Sequence, residues 1–115
     1  LSGSKEFRDY VLDQLSAIDD LSARAMFGGF GIFQDGLMFA LIARDTLYFK
    51  VDETNRSAFE QAGMPPFRYT RGNKVFEMSY WQAPPDILDD ASEISEWARV
   101  AIAAAHSGQS KKSKT

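Results

Sequence analysis

The stretch RAMFGGFGIFQDGLMFALI, Arg24 to Ile42, offers the first residues with chemical potential: four glycines, Gly28, Gly29, Gly31 and Gly36, set among phenylalanines. Glycine-rich turns cradle phosphates when backbone amides at a helix start can reach the anion. A P-loop would need a Lys after its last glycine, and none follows here. The dinucleotide fingerprint would begin at Gly29 and Gly31, but position 34 is Gln. GGFG also fits the Gly-x-x-Gly loop of KH domains, yet that loop joins two helices. An apolar, strand-like run follows these glycines instead of a helix. Within strands, glycine marks a bulge or a close backbone approach, and that is the reading adopted.

No catalytic constellation emerges. His106 is the single histidine, near the end of a helical pattern, where a cation is favoured by the helix dipole. Asp86, Asp89, Asp90, Glu93 and Glu96 carry oxygen ligands, but they lack the alternation and central Gly of a calcium loop. Acids at a helix start read as caps. The chain has no cysteine, so disulfides, thiolate nucleophiles and Cys-bound metals drop out together. The expectation is a protein that is no enzyme and takes no cofactor and no metal. Asn55 heads an Asn-Arg-Ser triplet, but inside a helical pattern it is set aside as a glycosylation site.

Arg68, Arg71 and Lys74, interleaved with Phe67, Tyr69 and Phe76, form the best nucleic-acid candidate, cations for phosphates and rings for bases. The competing reading makes the rings core and the cations a solvated edge. A third possibility is a small ligand in an aromatic pocket near Phe30 and Trp81. Net charge is −3, and the tail SGQSKKSKT contributes three lysines with no acid. The remaining body holds ten basic and sixteen acidic residues, a balance that opposes non-specific phosphate binding. Nucleic-acid contact is therefore expected to be weak or indirect.

These residues must be positioned by a single domain, since 115 residues suit one core. No apolar window is long enough to span a membrane. The opening LSGSKEF has neither the basic nor the apolar region of a secretory signal, and a cytoplasmic protein is expected. Phe7, Tyr10, Val11, Leu15 and Ile18 lie on one helical stripe with Ser4 as N-cap. Arg24–Phe33 and Leu37–Ala43 read as two strands joined at Asp-Gly, a strong hairpin signal. Leu47, Phe49 and Val51 alternate as a third strand. DETNRSAFEQAG reads as a short helix with Ala58, Phe59 and Ala62 inward. FRYT and KVFEMSYW read as a second hairpin across RGN. A final helix from about Asp90 to His106 buries Ile94, Trp97, Ala98, Ala101, Ile102 and Ala105. The order is α-β-β-β-α-β-β-α. The fold class is α+β, a two-layer α/β sandwich with a mainly antiparallel five-stranded sheet. The domain occupies residues 4–107, and residues 108–115 form a flexible Lys-rich tail.

RAMFGGFGIFQDGLMFALI, DTLYFKVD, GMPPFRY, MSYW and ILDD before a Trp-bearing helix, taken in series, resemble the N-terminal domain of the TfoX (Sxy) family. The resemblance runs from about residue 7 to residue 105. It implies an α/β domain with an antiparallel sheet, similar to secretion-chaperone-like folds. The best-known members regulate competence genes, acting with a cyclic-AMP-responsive activator at promoters, and carry a second, helical domain. The present chain ends soon after its last helix, so a stand-alone member is expected. The family supplies no catalytic residues. The expected function is a non-enzymatic interaction module of bacterial transcriptional regulation, working through a protein partner.

LMFALI is apolar at every position, so alternation cannot send half of it to water. With Leu37, Phe39 and Leu41 toward the helices, Met38, Ala40 and Ile42 would point away, beside Tyr48 and Lys50. Those five residues are the candidate interface, most simply of a symmetric homodimer.

Overall fold

The computed structural model describes residues 4–26 and 28–113. The elements are α1 (Lys5–Gln14), β1 (Leu21–Met26), β2 (Gly29–Gln34), β3 (Leu37–Ala43), β4 (Thr46–Lys50), α2 (Arg56–Gln61), β5 (Pro66–Arg71), β6 (Lys74–Gln82), a 3-10 turn at Pro85–Ile87, and α3 (Ala91–Ser113). The Ser4 hydroxyl accepts the Phe7 amide at 3.1 Å and caps α1 as its sequence suggests. Among the described residues no helix is long and apolar enough to cross a membrane.

All pairings are antiparallel, in the order β1-β2-β3-β4-β6-β5. The sheet is open and has six strands, one more than expected. The segment Arg24–Phe33 does not run as one strand, because the chain reverses between Met26 and Gly29. Gly28 sits there at a φ of +74°, a conformation glycine adopts without penalty. Phe27 lies outside the described residues. The Asp-Gly hairpin forms as expected, with Asp35 and Gly36 both at positive φ. The turn from β3 to β4 uses the same left-handed geometry, although Arg44 and Asp45 lack glycine's freedom.

One core joins the helices to the strands. It contains Val11 of α1 and Leu15 at its C-cap, Phe59 of α2, and Ile94, Ala98, Ala101 and Ala105 of α3. Phe30, Ile32, Phe39, Ala40, Ile42, Leu47 and Phe49 meet them from the sheet. Trp97 and Ile102 pack partly buried against it, as the helical spacing required. In α2 only Phe59 is buried, while Ala58, and Ala62 just past the helix, are exposed, because the helix reaches the core through the Phe59 ring set against Trp81 and Trp97. The last helix also extends to Ser113, beyond the apolar stripe that marked its sequence limits.

The alternation expected in β3 does not hold. Ile32 pairs with Ala40 but Phe33 pairs with Met38, so Phe39 is an extra residue, a β-bulge. Phe39 and Ala40 therefore both enter the core, and the Phe39 ring stacks on Phe49 at 6.5 Å. Ala40 and Ile42, expected on the far face, are fully buried among the helix-packed side chains. Leu41, expected inward, lies opposite Gly31 and Tyr48 outside that core.

Candidate interaction surface

The residues first weighed for chemistry take structural positions. A Cβ on Gly29 would lie 1.9 Å from the Ile42 carbonyl oxygen, so glycine is required there by a backbone crossing. A Cβ on Gly31 would press on the Met26 Cε at 2.9 Å and the Met38 Sδ at 3.1 Å. Both glycines serve packing within β2. Asp90 Oδ1 accepts the Glu93 amide at 3.0 Å and caps α3. Asp89 accepts the Tyr10 hydroxyl, which also reaches the Leu88 carbonyl oxygen. That hydrogen bond to Asp89, ahead of burial, raises the Tyr10 phenol's pKa. His106 is exposed on α3. Among the described residues no three His, Asp or Glu side chains gather as a metal site.

The pocket expected near Phe30 and Trp81 does not assemble. Those residues sit on β2 and β6, with β3 and β4 between them, a separation of roughly 14 Å at ordinary strand spacing. Phe30 carries the Arg8 guanidinium at 5.0 Å, and Trp81 leans on Phe59 at 6.5 Å. A shallow depression opens elsewhere, between α2 and α3, lined by Ala58, Phe59, Glu96, Trp97 and Val100.

The distinctive surface is the sheet face turned away from the helices. Its β1–β3 half is apolar and rich in sulfur. Met26 and Met38, both half-buried, converge over Gly31, while Phe33 carries the Arg24 guanidinium at 4.5 Å. Leu41 is fully buried at the centre. Near it the Tyr80 hydroxyl donates to the Met38 carbonyl at 3.4 Å, past the last residue that β3 pairs with β4. Burial pushes the Tyr80 phenol up to about 12. Lys50 Nζ donates to Ser79 Oγ at 2.6 Å and lies 5.5 Å from the Tyr80 ring. Of the five candidate interface residues, the structure thus brings Met38, Tyr48 and Lys50 to this face and leaves Ala40 and Ile42 in the core.

The other half is the β5–β6 hairpin. Tyr48 meets Phe67 edge-on at 5.0 Å, Phe67 stacks with Tyr69 at 6.5 Å, and Tyr69 with Phe76 at 5.4 Å. Desolvation raises the Tyr48 pKa, against the opposing pull of Arg44. Tyr69 is 42% exposed and Phe76 39%, so these rings are not the core that alternation suggested. Arg68 is bound to Glu77 at 2.9 Å and points to the opposite face from Tyr69. Arg71 pairs with Lys74 two residues beyond the Tyr69–Phe76 pair, which returns both exposed cations to the aromatic face. Of the three nucleic-acid candidates, the structure keeps Arg71 and Lys74 together and sets Arg68 apart. The hairpin's composition is legible in the sequence but its protrusion is not, since nothing local says that β6 outruns β4.

Comparison with curated proteins finds no match. The family model of the TfoX N-terminal domain matches residues 13–105, from the end of α1 through the entire sheet and into α3, and the chain belongs to the TfoX N-terminal domain family.

Proposed function

We propose that this domain is a non-enzymatic interaction module of bacterial transcriptional regulation, acting in the cytoplasm through protein–protein contacts. Family membership supports the regulatory setting. We read the architecture as two layers, helices on one side and the sheet's free face on the other. The observation that carries the reading is the pair of half-buried methionines over Gly31, flanked by Phe33 and Leu41, on a face no helix covers. Thioether side chains adapt to an incoming surface, and two half-buried ones side by side on an uncovered sheet face offer it an apolar contact. The simplest occupant is a second copy of the chain in a symmetric dimer.

Sedimentation at tens of micromolar tests this. The wild type should run as a dimer, and Met26→Lys with Met38→Lys should run as a folded monomer. A wild-type monomer at that concentration eliminates the homodimer and leaves the face to a different protein. Ile42→Lys serves as the control, expected to unfold the domain because it puts a charge in the helix-packed core.

A further inference from the structure

We infer that the hairpin half of the free face is a platform for single-stranded nucleic acid, separate from the methionine half used for the dimer. Charge segregates in this fold. The six strands carry five basic residues, Arg24, Lys50, Arg68, Arg71 and Lys74, against one acid, Glu77. The other fifteen acidic residues lie in helices, turns and connections. Glu77 in turn is bound to Arg68 on the opposite side of the hairpin. The aromatic side of the strands therefore carries no carboxylate at all, although the chain as a whole is acidic.

Onto that side project a line of rings, Tyr48, Phe67, Tyr69 and Phe76, ending at the exposed pair Arg71 and Lys74. Exposed rings in series offer stacking surfaces to successive bases, and flanking cations take the phosphates. Unpaired bases can turn their faces to such rings. A duplex keeps its bases stacked on one another, so it could use only the two cations. The platform thus selects single strands over double strands by access to the base faces. It does not need the exposed rings to be covered by protein in the free chain.

The experiment is fluorescence anisotropy with a labelled oligothymidylate of about a dozen nucleotides, at about 50 mM salt. Saturable binding, at least about tenfold tighter than to a duplex of equal length, is the expected result. Tyr69→Ser with Phe76→Ser should weaken it about tenfold or more. Arg71→Gln with Lys74→Gln leaves the rings in place and should flatten the log-log salt dependence by about 1.4, two released counterions on a single strand. Circular dichroism establishes that each variant is folded. Replacing Lys111, Lys112 and Lys114 by Ser should preserve the discrimination between single and double strands. The inference is overturned by absent oligothymidylate binding, by equal affinity for duplex, or by loss only in the tail variant. Binding of polyglutamate but not of the oligonucleotide would also overturn it and assign the strip to an acidic protein. None of these outcomes depends on whether the chain dimerises, which sedimentation reads separately.

Discussion

The two faces of the sheet are both rich in large apolar side chains, yet they are buried by different means. On the helix side, Phe39, Ile42 and Phe49 lose all solvent contact beneath Ile94, Ala98 and Ala101. On the free side, Leu41 is just as buried, but it lies outside the helix-packed core, between Gly31 of β2 and Tyr48 of β4, its partners in the flanking strands. Packed helices cover evenly. Neighbouring side chains cover only the middle, and burial falls away through Tyr48 and Phe67 to Tyr69 and Phe76. A sheet can therefore hide its centre without helices and still leave its rim available for contact.

The sharpest way to break that comparison is to truncate one phenylalanine on each face. Phe39→Ala should destabilise the domain by about 3–5 kcal/mol, and Phe76→Ala by under about 1 kcal/mol, in urea unfolding. Equal losses would mean that the hairpin is as integral as the core.

The next effect belongs to Tyr80, an ionisable group that the free face buries deeply. Its pKa is raised from 10.0 to about 12 in the folded state. The unfolded chain therefore releases this proton first as pH rises. The stabilisation is complete below pH 10 and is lost between pH 10 and about 12. The loss amounts to about 2–3 kcal/mol at most. Unfolding free energies measured across this interval should fall, and Tyr80→Phe should remove that part of the slope. A slope unchanged in the variant would place the alkaline sensitivity elsewhere.

The smallest effect lies in α3. The Ser95 hydroxyl is buried with no hydrogen-bond partner among the described residues. Ser95→Ala should raise stability by about 1 kcal/mol, read as an increased urea midpoint. A decrease would show that the hydroxyl is satisfied in solution.

Much of the helical packing was legible in the sequence, because helical periodicity survives in Val11, Leu15, Ile94, Ala98 and Ala101 whatever the sheet does. The Asp35-Gly36 turn was legible too, because an Asp-Gly pair between apolar runs marks a hairpin by itself. The β1–β2 reversal was not. Gly28 and Gly29 sit inside an apolar run, and only the three-dimensional approach of Ile42 separates a turning glycine from a crossing one. The faces of β3 were hidden for a related reason. Seven apolar residues contain no polar one to mark the phase, so a bulge at Phe39 leaves no trace in composition. The exposed aromatics were named from the sequence but given the wrong surroundings, since their exposure depends on the distance to which β5 and β6 extend past β4.

The bulge has a consequence for how this segment can change. Amino-acid replacements in β3 are judged one at a time, each by the room around a single side chain. A gain or loss of one residue is judged all at once, because it alters which of Leu37 to Ala43 meet the helices and which meet the free face. Tight turns of two left-handed residues bound the strand at both ends and leave no slack to absorb the shift. Homologous sequences should therefore vary in the letters of this stretch far more readily than in its length.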